Sequence, residues 1–297
     1  MPPQVGKREK SMIKLMLYFF LACLVLSSAV TRAMADEQSK PVKSRMLADV
    51  SAVVPGVPFD VAVLLELEPH WHVYWKNPGD SGLPTSVKFS LPEGFTVSGL
   101  NWPVPGILKG AGSLTDYGYE DSLLLSARVT PPADIKPGTV ARITAGVSWV
   151  SCKDICIPGR TELALDLPVS KTSGPANTGL FSEWRSRLPV NLTGGAPPFK
   201  TDLKTEAEDD NGYSVVISLD WKEDLKDIAL YPVPGNSYVV GGIVVDTDEE
   251  NGKSSISFDV KEVQSRESSQ ESLDTLIVYT GMDGKKSGYE FEVPLHK

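Results

Sequence analysis

Cysteine and histidine are scarce in this chain, which has three of each among its 297 residues. Acidic residues outnumber basic ones by 38 to 29, and a negatively charged protein is a poor partner for nucleic acid or an anionic membrane surface. The sequence also lacks a phosphate-binding glycine loop, a Ser-His-Asp order and a metalloprotease helix. These absences argue against the common nucleotide-binding and hydrolase classes.

Long apolar runs are also missing, except near the N-terminus. The segment 15–26 is apolar and follows several basic residues, and 33–35 (Ala-Met-Ala) has the small-x-small pattern of a cleavage site. Residues 1–35 are therefore predicted to be a cleaved signal peptide, with an uncleaved N-terminal anchor as the alternative. Cleavage would remove Cys23 and leave an exported chain in a compartment where disulfides persist.

The first half of the mature chain is predicted to be rich in strands. Residues 61–75 alternate between apolar and polar side chains, which predicts one strand with a bulge or edge position at Pro69. Further short strands are expected at 86–90, 95–100, 122–129, 141–150 and 161–167. Strands of this length and spacing, without helical periodicity, are typical of a β-sandwich or barrel.

The amino-acid composition changes near residue 170, which indicates a boundary between two domains. A Ser, Gly and Pro-rich stretch at 170–178 predicts a linker, and 180–188 has apolar residues at helical spacing. Strand patterns then resume at 213–219, 237–245, 255–260, 275–280 and 289–295. We therefore predict an all-β protein with sandwich domains at 36–172 and 191–297, joined over 173–190 by a linker with one short helix.

Cys152 and Cys156 are the two cysteines outside the predicted leader. A disulfide between them would close a loop of about five residues and contribute only roughly 2 kcal/mol in the chain-entropy estimate. A close pair can instead undergo thiol-disulfide exchange, in which the second thiol resolves a mixed disulfide. Their spacing is not the C-x-x-C of thioredoxin. The residues alone leave a redox centre, a structural clip and metal ligation open.

Five sequence blocks carry a resemblance to a known family. They are 71–84, 91–95, 101–103, 117–120 and 152–158. In this order they resemble the N-terminal periplasmic domain of DsbD-type protein-disulfide reductases, and most closely the ScsB-like branch associated with suppression of copper sensitivity. The second half of the chain resembles the second extracytoplasmic β-domain of that branch more weakly.

The resemblance implies an immunoglobulin-like sandwich in the periplasm, with a redox-active cysteine pair and no cofactor. In the family, the pair takes electrons from a thioredoxin-like domain, which a membrane-embedded thiol relay reduces, and passes them to periplasmic disulfide isomerases. By residue-to-residue match, Cys156 is expected to exchange with partners and Cys152 to resolve the mixed disulfide. Family members continue into the relay and thioredoxin-like domains, so we expect a separate chain to supply them here.

The resemblance also implies a loop whose aromatic residue caps the cysteine pair. Its counterpart is expected within 103–119, an irregular stretch rich in Gly and aromatic residues, and Tyr117 is the candidate cap. Asp116 and Glu120 are candidates for proton transfer to a leaving thiolate. The alternative is that both are ordinary acidic residues of a surface loop, with no part in proton transfer.

His70 and His72 are weak candidates for metal ligands. Together with Glu66 and Glu68 they fall on one side of the strand predicted over 61–75, and imidazoles with carboxylates suit copper or zinc. The polar outer face of a half-buried strand explains the same pattern and is the favoured interpretation. The alternative function is therefore a non-catalytic copper-binding, copper-tolerance or protein-binding module with a structural disulfide.

Overall fold

The computed structural model describes residues 41–295, apart from 110–113, 193, 195, 209–211, 236 and 264–271. The predicted signal peptide, with Cys23, lies outside the described residues, as does the middle of the predicted cap region. No helix within the described part is long and apolar enough to cross a membrane.

The described chain folds into two β-sandwiches. The first contains β1 (Val42–Ala48), β2 (Phe59–Leu67), β3 (His72–Gly79), β4 (Ser86–Ser90), β5 (Thr96–Val97), β6 (Gly106–Lys109), β7 (Thr115–Glu120), β8 (Ser122–Thr130), β9 (Val140–Cys152) and β10 (Cys156–Pro168). Helix α1 (Thr178–Arg185) follows. The second contains β11 (Val190–Asn191), β12 (Phe199–Glu208), β13 (Gly212–Trp221), β14 (Leu225–Val233), β15 (Tyr238–Asp248), β16 (Lys253–Glu262), β17 (Ser272–Gly281) and β18 (Lys286–Pro294). The predicted all-β class, with two sandwiches and one short helix, is confirmed.

The first sandwich packs sheet β1-β2-β8-β5 against sheet β10-β9-β3-β7-β6, with β4 paired to β9. In β9 the side chains of Ala141, Ile143, Ala145 and Val147 are buried, and the residues between them are not. Successive side chains of a strand point to opposite faces, so this alternation gives one apolar face. Those faces of the two sheets form the core.

The single strand predicted over 61–75 is wrong, because the chain changes sheet in the middle of it. β2 lies in one sheet of the first sandwich and β3 lies in the other. Between them His70 adopts a φ of 69°, and the Trp71 amide donates to the Glu68 carbonyl at 3.0 Å. Pro69 has no amide hydrogen for a strand ladder, so the chain turns here instead of forming a bulge.

Part of the second sandwich packs into the core of the first. The second sandwich packs sheet β11-β18-β17-β14 against sheet β12-β13-β16-β15. Tyr231 of β14 is only 2% exposed, and its ring centroid lies 4.7 Å from that of Tyr117 and 6.1 Å from that of Trp75. Leu276 and Val278 of β17 belong to the same buried cluster. One face of the β14–β17 pair therefore completes the core of the first sandwich.

Helix α1 and the stretch before it are fixed to the first sandwich. Phe181 and Trp184 are buried in a cluster with side chains of β1, β2 and β8. The stretch predicted as a linker, 170–178, is hydrogen bonded to the same sandwich, since the Ala176 amide donates to the Asp49 carbonyl at 2.8 Å. The connection between the sandwiches is therefore held in place.

A buried carboxylate holds the end of α1 against the sheet. Asp60 of β2 is 5% exposed and accepts hydrogen bonds from Arg128, at 2.7 Å from Nε to Oδ1, and from Arg185 at the end of the helix. Burial raises the pKa of Asp60, but the hydrogen bonds and charges of the two arginines together outweigh burial and hold that pKa below its ordinary value of 3.8. Ionised Asp60 therefore stabilises the folded state.

Asp60→Asn is expected to lower the free energy of unfolding by about 1–3 kcal/mol at neutral pH, because two arginines lose a charged partner. Asp166→Asn is the matched control, since Asp166 pairs with Arg142 on the exposed surface, where such pairs contribute roughly 0–1 kcal/mol. Urea titration measures both. Because folding lowers the Asp60 pKa, the advantage of the wild type is complete above the ordinary pKa and is lost as pH falls through the lowered value. An advantage that persists undiminished at about pH 2 would contradict this role.

Candidate functional site

Two cysteines lie at the tip of the β9–β10 hairpin. Cys152 ends β9, Cys156 begins β10 directly opposite it, and a disulfide joins them. In the turn between them, the Lys153 amide donates to the Ile155 carbonyl at 3.2 Å. Cys152 is 3% exposed, whereas Cys156 is exposed and begins the edge strand of its sheet. An external thiolate therefore has access to the disulfide from the Cys156 side.

Strand register determines which side chains surround the buried sulfur. His72 of β3 lies directly opposite Cys152 of β9 on one side and opposite Glu120 of β7 on the other. Directly paired residues, and residues two apart in one strand, point to the same face of a sheet. His72, Tyr74, Cys152 and Glu120 therefore share the face that points away from the sandwich core.

A short polar chain of side chains ends on Cys152. The Tyr74 hydroxyl donates a hydrogen bond to Cys152 Sγ at 3.1 Å, and both groups are buried. His72 Nε2 lies 3.4 Å from the Tyr74 hydroxyl oxygen, and the two rings meet edge to face with centroids 5.3 Å apart. Tyr74 thus connects the half-buried imidazole to the buried sulfur.

The loop after β3 covers Tyr74. Asp116 of β7 accepts hydrogen bonds from the amide of Ser81 at 2.7 Å and from its hydroxyl at 2.6 Å, and these bonds anchor the loop. Gly82 follows with a φ of 78°, and a Cβ added there would lie 2.3 Å from the Tyr74 ring. Only glycine fits both this backbone conformation and this close approach. The loop therefore shields the tyrosine from solvent.

Burial and nearby carboxylates set the proton affinities at this site. Burial lowers the pKa of His72, and the negative charges of Asp116 and Glu120 partly oppose that shift. Burial also raises the pKa of Tyr74, whereas a hydrogen bond with Ser81 lowers it and the charge of Asp116 raises it. The phenol therefore stays protonated at neutral pH, and the imidazole is largely neutral there.

Tyr117, the candidate cap, does not lie on this face. It is adjacent in β7 to Asp116, so its side chain points the other way, into the core, where its ring packs against Trp75 and Tyr231. Its position does not support the cap assignment. Among the described residues, the aromatic side chain hydrogen bonded to the cysteine pair is Tyr74.

Asp116 and Glu120, the proton-transfer candidates, do lie on the face that carries His72. Glu120 is exposed and pairs with His72 across the strands. Asp116 is buried, and each of its carboxylate oxygens accepts a hydrogen bond from Ser81. Their charges act on His72, and Asp116 also anchors the covering loop.

The four candidates for a metal site are separated by the turn between β2 and β3. Glu66 and Glu68 form ion pairs with basic side chains of β1. His70 is exposed in the turn, and His72 lies in β3, in the other sheet. Within the described part of the chain, no group of three or more His, Cys, Asp or Glu residues is arranged to hold a metal ion. The shared face predicted for these four residues does not form.

Sequence reasoning missed Tyr74 as a site residue. It lies inside the 71–84 block that carries the resemblance. The alternation of 61–75 indicates that Tyr74 is on the polar side of a strand, but not which residues lie next to it there. That depends on the pairing of His72 with Cys152, which are 80 positions apart. The sequence does not indicate that β3 pairs with the end of β9 that carries Cys152.

The family profile described as "Thiol:disulfide interchange protein DsbD, N-terminal" matches residues 38–168. This segment is therefore similar to the N-terminal domain of that family, and it makes up less than half of the chain. The DsbD-type segment contains the whole disulfide site and all ten strands described for the first sandwich.

Solved structures extend the likeness in fold beyond the DsbD-type segment. The N-terminal periplasmic domain of ScsB from Proteus mirabilis matches with a TM-score of 0.60 and 14% identity, over 87% of this chain and 95% of that one. The Neisseria meningitidis DsbD N-terminal domain in its reduced form gives a TM-score of 0.27 and 8% identity, over 44% and 90% of the two chains. No curated protein matches the sequence. At this identity the ScsB likeness shows a shared fold that includes both sandwiches.

Gly82→Ala is expected to destabilise the protein more than Gly138→Ala, the matched control. Both place an alanine at a positive φ, which costs about 1–2 kcal/mol. Gly138 has open space around its Cβ position, whereas Gly82 faces the Tyr74 ring, so that overpacking adds about 1–3 kcal/mol. Chemical denaturation of both variants measures the difference. Equal losses would show that the loop does not press on Tyr74.

Proposed function

We propose that this protein carries out thiol-disulfide exchange outside the cytoplasm, with Cys152 and Cys156 as a reversible dithiol that relays electrons between thioredoxin-fold proteins. The observation that carries this proposal is the unequal exposure of the two sulfurs at the hairpin tip. One sulfur is open to a partner, and the other is held beside it, protected by Tyr74. The match of residues 38–168 to the DsbD N-terminal family supports the same chemistry.

The exchange proceeds in two half-reactions. In the first, a thiolate of a reduced donor attacks Cys156 Sγ, the Cys152–Cys156 bond breaks, and Cys152 takes the electron pair and a proton. A second donor thiol then displaces Cys156, which leaves the donor oxidised and this protein reduced. In the second half-reaction, Cys156 attacks the disulfide of an acceptor, and Cys152 displaces the acceptor as its reduced dithiol. Two electrons and two protons pass from the donor to this protein in the first half-reaction, and from this protein to the acceptor in the second.

The surroundings of Cys156 fit a protein partner. Ile155 is 66% exposed and Ile157 is also exposed, so that apolar side chains flank the reactive sulfur on both sides. Apolar contact around an exposed disulfide favours a folded partner over a small thiol, because the contact area adds to binding. We propose a thioredoxin-like donor and a disulfide-isomerase-like acceptor as these partners.

The proposed location is the periplasm, after cleavage of residues 1–35. The apolar run at 15–26 and the Ala-Met-Ala pattern at 33–35 support export. The ScsB domain with the same fold is periplasmic. We propose that a separate chain with a membrane thiol relay supplies the electrons.

Trapping of mixed disulfides tests this function and the roles of the two cysteines. In a Cys23→Ser background, Cys152→Ser leaves the exposed thiol of Cys156, which is expected to form a persistent mixed disulfide with an oxidised thioredoxin-fold protein. Cys156→Ser also leaves a single thiol and is the matched control; its Cys152 is buried, so little adduct is expected. Non-reducing electrophoresis measures both. If only Cys156→Ser traps the partner, the roles are reversed, and if neither variant does, the pair is not an exchange centre.

A further inference from the structure

We propose that His72 exchanges the proton of Cys152 through the Tyr74 hydroxyl, so that the buried sulfur gains and loses its proton without contacting solvent. This inference rests on the proposed thiol-disulfide exchange. It gives His72, which the sequence presented only as a weak metal candidate, a place in each half-reaction.

The need for such a route follows from the burial of Cys152. This cysteine is 3% exposed, yet it must become a thiol when the disulfide is reduced and a nucleophile when the mixed disulfide is resolved. An unprotonated, unpaired thiolate in a buried position is costly. Bulk water has little access to this sulfur, so a side chain has to carry the proton.

The hydrogen-bonded chain supplies that route in two steps. Tyr74 donates to Cys152 Sγ at 3.1 Å, and His72 Nε2 lies 3.4 Å from the same hydroxyl oxygen. A hydroxyl can give one proton while it receives another, so Tyr74 can pass a proton without remaining ionised. His72 is half-buried and therefore retains contact with solvent. The imidazole is thus the end of the chain where protons enter and leave.

Resolution of the mixed disulfide uses His72 as a base. The Cys152 thiol gives its proton to the Tyr74 oxygen as the Tyr74 proton moves to neutral His72 Nε2, and the sulfur attacks Cys156 Sγ. The new Cys152–Cys156 bond forms, the bond from Cys156 to the acceptor breaks, and the acceptor sulfur leaves with the electron pair. His72 ends as an imidazolium ion and releases its proton to water.

Reduction of the disulfide uses the same groups in reverse. A donor thiolate attacks Cys156 Sγ, and Cys152 leaves with the electron pair of the broken bond. The imidazolium ion of His72 gives a proton to the Tyr74 oxygen, and the Tyr74 proton moves to Cys152. The step ends with a neutral imidazole, an intact phenol and a Cys152 thiol.

The charged groups around His72 suit an acid-base role. From β7, Asp116 and Glu120 face it; from β9, Cys152 faces it; and Tyr74 lies beside it on β3. Burial lowers the pKa of His72, and the two carboxylates oppose this. At neutral pH the imidazole is therefore ready to accept a proton, and the carboxylates stabilise the imidazolium ion when it forms.

Asp116 is the nearest rival for this role, but it is only 3% exposed and therefore has little contact with the solvent that must supply or take up the proton. Its two carboxylate oxygens accept hydrogen bonds from Ser81, at 2.6 and 2.7 Å. The Tyr74 hydroxyl lies next to His72 Nε2 and Cys152 Sγ, and Ser81, which donates its hydroxyl proton to Asp116, also contacts it. Asp116 therefore acts through its charge and through the loop, as a positioning residue.

The test uses a chromogenic aromatic disulfide and the reduced full-length protein in a Cys23→Ser background. Attack by Cys156 releases one coloured aromatic thiolate, and resolution by Cys152 releases a second. Stopped-flow absorbance follows both releases across a range of pH. The first release does not involve His72 and is the internal check that the variant is folded and reactive.

His72→Asn is expected to slow the second release by about 100-fold at neutral pH and to leave the first unchanged. In the wild type the rate of the second release should fall as pH drops through the His72 pKa, which lies below the ordinary value of 6.5. In His72→Asn this inflection should disappear. Tyr74→Phe should slow the second release and remove its pH inflection in the same way. This variant lacks the hydroxyl that connects Cys152 to His72, although His72 itself is still present.

His70→Asn is the matched control, since it makes the same change at an exposed histidine in the preceding turn. It should keep the wild-type rate and inflection. A second release in His72→Asn that retains the wild-type pH profile overturns the relay. A wild type that gives neither release instead overturns the proposed exchange function, so the two failures are distinguishable.

Discussion

The register of β3 between β9 and β7 is the constraint on which the site depends. Pairing of His72 with Cys152 and with Glu120 places imidazole, phenol and sulfur on one face, while Val73 and Trp75 fill the core on the other. A shift of one residue would exchange the two sets, which would put apolar side chains beside the disulfide and polar ones in the core. Such a shift would be costly in free energy, because it would bury polar side chains. The register is therefore fixed, and with it the set of side chains around the disulfide.

The second sandwich holds this register in place. Trp75, next to Tyr74 in β3, is buried against Tyr231, and the Asn77 side-chain amide donates to the Pro232 carbonyl at 2.7 Å. Lys76, between Trp75 and Asn77 in the sequence, forms an ion pair with Glu290 at 3.3 Å. Three successive residues of β3 therefore contact the second sandwich. The second sandwich, which contains no cysteine, thus supports the strand that carries His72 and Tyr74.

Sequence patterns predicted most of the fold and the centre of the site, because both are local signals. Alternation within β9 and the turn residues between strands are readable from a few neighbouring positions, and the spacing of Cys152 and Cys156 identifies a close pair. The errors concern residues whose surroundings depend on which strands pair in the folded protein. Alternation continues past the turn, so the pattern predicts a bulge or an edge position at Pro69 and not a change of sheet. Tyr117 lies in a stretch that the sequence predicts to be a loop, whereas the register of β7 directs its side chain into the core. Tyr74 needed the pairing of strands that are distant in sequence.

The reduction potential of the Cys152–Cys156 pair tests the central claim most directly. Equilibration of the Cys23→Ser protein with graded thiol-disulfide buffers, followed by thiol labelling and mass measurement, gives its value. A redox relay that exchanges with thioredoxin-fold partners should lie above about −300 mV, within the range of such proteins. A potential well below about −300 mV would identify a fixed structural disulfide and contradict the account.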